Sequence, residues 1–196
     1  MGMVMVLHQA SDNTIDRLLA DPPLVWQFLA PDNPEVYTEA RRASRGLLTR
    51  LLGRRAEVPP LELSEDEGEL LDLDKSWHGI HFLLTETEWE GEAPLNFVVG
   101  GGTEIAGQDV GYGPARAFRS DEVRIISQAL ERVSTEELCA RFDPDAMRAA
   151  EVYPDIWESP SVDDGPLLFL TQHLEDLRGA LRTLVARQRG LVVTLS

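Results

Sequence analysis

The two ends of the chain constrain its fold most. Residues 2–9 (GMVMVLHQ) and 191–196 (LVVTLS) are short, apolar, β-branched runs of strand length. Between them the apolar residues recur mostly at three and four, the spacing of helices. Strands at both ends of a helix-rich chain predict an α+β fold: a helix-rich single domain packed on a small sheet that includes the N- and C-terminal strands. The length, 196 residues, fits one such domain, and an apolar fraction of 43% is enough to fill its core.

Punctuation along the chain sharpens this outline. Ser11, Asp12 or Asn13 can cap a helix that carries Ile15, Leu18 and Leu19, and Pro22-Pro23 ends it. LVWQFLA (24–30) reads as a second short helix. From Asn33 to Arg55 runs an amphipathic segment with Val36, Tyr37, Ala40, Leu47, Leu48, Leu51 and Leu52 on one face and six arginines between 41 and 55. Such a basic helix suits an anionic membrane or an acidic partner. Here the acidic stretch ELSEDEGELLDLD (62–74) follows closely and is expected to neutralise it within the molecule, with AEVPPLEL (56–63) as the loop between.

Further on, 94–99 reads as a short helix ended by Gly100-Gly101-Gly102, and the remainder to Phe118 as glycine-rich loop. Three helices follow: one capped by Ser120, one opened by a Ser134–Glu137 capping box, and one with Asp143 before Pro144. A long amphipathic helix within 164–190 leads into the final strand.

The segment DLDKSWHGIHFLLTE (72–86) is the densest in polar and aromatic residues. With about 100° between residues, Asp74, His78, His81 and Thr85 form a narrow polar stripe, flanked by Trp77, Ile80 and Leu84 on one side and Phe82 on the other. Three readings fit this stripe. The histidines can bind a metal with Asp74, or one can act as a general base held by a carboxylate. Alternatively each imidazole donates to a carbonyl or to Asp74 and fixes helix packing. His8 and His173 are the only other histidines and Cys139 the only thiol, so no metal motif stands elsewhere to complete a site.

Together MGM at the start, LDLDKSWHGIHFLLT (71–85), VGYGPAR (110–116), ARFDPDAM (140–147) and VYPDIW (152–157) resemble the bacterial YfbM-like family, in the same order over nearly the whole chain. Residues 32–66, with the arginine-rich helix and the Pro-Pro loop, correspond less clearly. Glu86 stands where the family pattern has a glycine after HFLLT. The resemblance implies one compact α+β domain over 1–196; it carries no activity, cofactor or site residue, because the family's own function is unknown.

Composition limits what the chain can do. With 18 basic and 34 acidic residues, a formal charge of −16, it lacks the cations that displace counterions from a nucleic-acid backbone. No run of about eighteen apolar residues spans a membrane. A start without a basic, cleavable leader and a single cysteine point to the cytoplasm, with Cys139 as a small core residue. Neither GxxxxGK[ST], nor a nucleophile elbow, nor a catalytic cysteine context occurs, and no cofactor is indicated.

Two groups of residues are therefore candidate surfaces. Asp74, Trp77, His78, His81, Tyr112 and Arg116 form a candidate cleft for a small-molecule enzyme or sensor. There Arg116 and Arg119 can receive a substrate carboxylate or simply pair with Asp109 or Glu104. Trp89, Tyr153 and Trp157 are candidate interface aromatics. The leading expectation is a cytoplasmic, non-enzymatic acidic binding protein that engages a basic protein partner.

Overall fold

A computed structural model describes residues 2–44, 59–158 and 165–196. Five strands form one sheet: β1 (Met5–Ala10), β2 (Gly68–Asp72), β3 (Thr103–Asp109), β4 (Pro114–Phe118) and β5 (Gly190–Leu195). Their order is β2-β1-β5-β4-β3, with antiparallel neighbours throughout. Both terminal strands thus belong to the sheet, as expected, and they pair with each other at its middle. Both faces of β5 are covered, which is why GLVVTL is almost continuously apolar and does not alternate.

Eight α-helices are described: α1 (Asp12–Ala20), α2 (Val25–Leu29), α3 (Pro34–Ala43), α4 (Ser76–Thr85), α5 (Ser120–Arg132), α6 (Thr135–Ala140), α7 (Pro144–Ala149) and α8 (Pro166–Arg187). Two 3-10 turns join them, at Pro22–Leu24 and Leu95–Val98. Strand parity divides the core. Leu7, Phe118, Leu191 and Val193 face the larger core with residues of α4, α5 and α8. Ala10, Ala115, Ala117 and Val192 face the smaller one with Ile15 and Leu18 of α1 and Val25 and Phe28 of α2. The molecule therefore has three layers, helices on both faces of a central sheet.

Several boundaries follow the side-chain chemistry directly. Ser11 accepts from the Thr14 N–H at 3.1 Å to cap α1, and Ser134 with Glu137 forms the capping box of α6. Asp143 caps α7 with Pro144 at its first position. Ser120, expected as a cap, is instead the first residue of α5. Arg119 takes the cap position, and the Ser120 N–H and hydroxyl donate to the Asp12 carboxylate at 2.9 and 2.7 Å, tying the start of α5 to that of α1.

Three sequence expectations need correction. The acidic stretch 62–74 contains an edge strand, β2, and its Asp66 pairs with Arg189, just beyond α8. The stretch read as glycine-rich loop after Gly102 is the β3–β4 hairpin, irregular in register between Glu104 and Asp109. Helix α4 begins at Ser76, because Asp74 has a φ of 45°, outside helical geometry. Of the arginine-rich helix, α3 is described as far as Ala43 and buries none of its residues; 45–58 lie outside the described residues. Among the described residues no helix is long and apolar enough to cross a membrane.

Candidate functional site

Helix α4 is buried along almost its entire length, from Ser76 to Leu84. A helix enclosed on all sides must satisfy its polar side chains internally. His78 does so with the main chain alone. The Tyr153 N–H donates to its Nδ1 at 2.9 Å, so that nitrogen is unprotonated, and its Nε2–H donates to the Glu88 carbonyl, also at 2.9 Å. The imidazole is thereby neutral in one tautomer. Burial pushes its pKa below the ordinary value, against the opposing pull of Glu88. Its ring stacks on Trp77, with centroids 4.7 Å apart, and lies 4.5 Å from the ring of Trp89.

His81 is fully buried one turn on. The Thr85 hydroxyl donates to the His81 carbonyl at 2.9 Å and so accepts from the His81 Nε2–H at 3.3 Å. Its Nδ1 has no partner among the described residues. Burial, with help from neighbouring His78, pushes His81 down to about 4. Neither histidine offers a free nitrogen to a cleft at neutral pH: His78 has both in use, and His81 is sealed.

What His78 does is hold the loop 86–92. His78 binds the carbonyl of Glu88, the Thr87 hydroxyl donates to the Glu90 carbonyl at 2.8 Å, and Asn96 Nδ2 donates to the Gly91 carbonyl at 3.1 Å. The loop carries Glu86, Glu88, Glu90 and Glu92 around Trp89, whose ring stays 49% exposed although it rests on His78. Glu86 pairs with Arg141 at 3.2 Å, and Glu88 accepts from the Trp89 Nε1–H at 2.6 Å. Glu90 and Glu92 are exposed and form no ion pair among the described residues.

Trp89 and Tyr112 border one cavity of about 140 Å³, with Trp77, Val98 and Val99 as further walls and Arg116 as its only charged lining residue. Tyr112, 55% exposed, sits at the tip of the β3–β4 hairpin, and its N–H donates to the Leu195 carbonyl at 2.8 Å. Gly111 beside it must be glycine: its φ is 154°, and a Cβ there would lie 2.5 Å from the Leu195 carbonyl oxygen. The Arg116 guanidinium donates through Nη1 and Nη2 to carbonyls of Phe97, Val98, Gly100 and Gly101 and so closes the end of the 3-10 turn. Burial lowers it to about 10, while Glu104, opposite it on β3, pulls the other way.

The remaining sequence candidates lie elsewhere. Asp74 is an exposed turn residue and does not line the cavity. Tyr153 is half-buried; its hydroxyl accepts from the Met3 N–H at 3.0 Å. Trp157 is buried, 3% exposed, and donates to the Val152 carbonyl at 2.7 Å, so it is a core residue and not an interface aromatic. Arg119 pairs with Asp16, not with Asp109 or Glu104. Among the described residues no three His, Cys, Asp or Glu side chains gather in the way a metal ion requires. The loop acids and Thr87 escaped sequence reasoning, although the run ETEWEGE, an aromatic among four glutamates, is visible in it.

No curated protein matches this sequence. The fold is similar to that of a protein of unknown function, YfbM from Escherichia coli. The two superpose with a TM-score of 0.64 at 18% identity, over 98% of this chain and 99% of that one. The sequence model of the family described as "Domain of unknown function (DUF1877)" matches residues 1–194. The chain belongs to the DUF1877 family.

Proposed function

We propose that the protein is a non-catalytic binding protein of the bacterial cytoplasm. Its working surface is the Trp89–Tyr112 face, and its partner is a basic protein. One observation carries the proposal: two rigid aromatic rings stand about half exposed at the mouth of one cavity, with the carboxylates of loop 86–92 around one of them. Exposed aromatics of this kind are the usual anchors of interfaces, and unpaired carboxylates select and steer a cationic partner. The overall charge of −16 acts in the same direction at longer range. The alternative, an enzyme or sensor with a cleft of His78, His81, Tyr112 and Arg116, is the weaker reading, because both nitrogens of His78 are hydrogen-bonded and His81 is fully buried.

The test compares immobilised wild-type protein with Trp89→Ala and with the double variant Glu88→Lys/Glu90→Lys, each exposed to bacterial cytoplasmic extract. The wild type should retain basic proteins at about 50 mM salt and release them at about 300 mM, where the screening length is much shorter. Both variants should fail to retain them. Retention of the same proteins by all three baits would refute this assignment of the surface.

A further inference from the structure

Resting on that reading, we infer that the cavity behind Trp89 and Tyr112 receives the terminal α-carboxylate of the basic partner, held by Arg116. Three features carry the inference.

The first is the state of the guanidinium. Its Nη atoms are bonded to carbonyls, but the Nε–H has no hydrogen bond among the described residues. Nor does Nε belong to the buried polar atoms left without a partner, so it keeps some solvent contact, and Arg116 lines the cavity. No carboxylate stands within ion-pair distance of Arg116 among the described residues. Glu104, opposite on β3, stays beyond ion-pair distance, so this cation among Met5, Val98, Val193 and Leu195 is a site where an incoming carboxylate gains a charge-assisted hydrogen bond.

The second is size. About 140 Å³ is room for four or five waters at about 30 Å³ each, enough for a carboxylate and a short side chain. A passing chain, which enters and leaves, needs more space than one that ends there. The third is the acidic loop beside Trp89. Glu88, bonded to the Trp89 ring nitrogen, and its exposed loop neighbours Glu90 and Glu92 repel a simple anion but favour cationic residues just upstream of the terminus. An anion-selecting floor beside a cation-selecting loop fits a chain end whose carboxylate is preceded by lysines or arginines. A free acidic metabolite meets only the repulsion.

The probe is a lysine-rich hexapeptide ending in alanine, made with a free carboxylate and as the carboxamide. A third version is amidated and carries an internal aspartate. Each is titrated into the folded 196-residue chain, with the fluorescence of Trp89 and the backbone NMR shifts of Tyr112 and Arg116 as readouts. The free acid should bind at least about tenfold more tightly than the amide, the worth of one hydrogen bond to a charged group. That preference should vanish in Arg116→Gln. Since that variant also releases the carbonyls of 97–101, Tyr112→Ala, which changes an exposed side chain at the mouth, serves as the second variant and should likewise reduce the preference. Equal binding of acid and amide, both lost in Trp89→Ala, would overturn the carboxylate site and leave the acidic aromatic face standing. Tight binding of the aspartate peptide would overturn the terminal assignment. If no peptide shifts any of the three residues, both proposals fall.

Discussion

At the scale of single residues, the histidines decide how α4 is understood. Two histidines three apart beside a tryptophan read as a site in the sequence, and the spacing correctly set His78, His81 and Thr85 in one stripe. Where the stripe pointed was not legible, because its partners, Tyr153 and Glu88, are main-chain groups of distant or irregular segments that no periodicity encodes. His78→Ala would strand the Tyr153 N–H and the Glu88 carbonyl and remove the ring that stacks on Trp77 and supports Trp89. The expected cost is about 3–4 kcal/mol, read as a lower urea midpoint.

Titration gives a second expectation at this scale. Burial holds His8 and His81 near 4 against an ordinary 6.5. The unfolded chain therefore takes up protons in this interval that the folded protein refuses. Stability should be fully present above pH 6.5, fall as pH drops from 6.5 to about 4, and change little further from these groups below that. The drop is on the order of 3 kcal/mol for each. Chemical denaturation of wild type and His8→Gln at pH 7.5 and 5 should show a smaller fall in the variant. Equal falls would mean that His8 is not buried in its neutral form.

At the scale of elements, α4 and the sheet show what local sequence can and cannot reveal. Gly79 stands mid-helix, where alanine normally gains about 1 kcal/mol. Here its missing side chain lets α8 and Trp157 approach: a Cβ would lie 2.6 Å from both Leu170 and Trp157. Gly79→Ala should destabilise by about 1–3 kcal/mol in spite of the propensity gain. At the helix end the sign reverses. Glu86 adopts a φ of 57°, left-handed geometry that suits glycine. Glu86→Gly relieves that strain and loses only an exposed pair with Arg141, so thermal denaturation should show a gain of about 0.5–1 kcal/mol.

In the sheet, β1 and β5 were legible because they are buried on both faces and mostly apolar. The edge strands were not. β2 carries Glu69 and Asp72, and β3 exposes five of its seven residues and contains Gly107. Charge and glycine protect a sheet edge from pairing with other chains, and the same residues erase its strand signature.

At the scale of the whole molecule, the hairpin and α4 converge on one face. A buried helix pins loop 86–92, and the loop presents Trp89 opposite Tyr112 at the hairpin tip. Acidic composition alone says only that the surface is well solvated; the topology gives part of that charge a place, beside Trp89, one of two exposed rings. Site-specific photo-cross-linking tests this most directly. A photoreactive amino acid is placed at Tyr112, or at the exposed Arg124 of α5 as a control position. The Tyr112 probe should capture a basic protein, with the yield abolished by Glu88→Lys/Glu90→Lys and by high salt, while the Arg124 probe captures none of it. Capture of the same protein from both positions, unaffected by charge reversal, would contradict the assignment of this face as the binding surface.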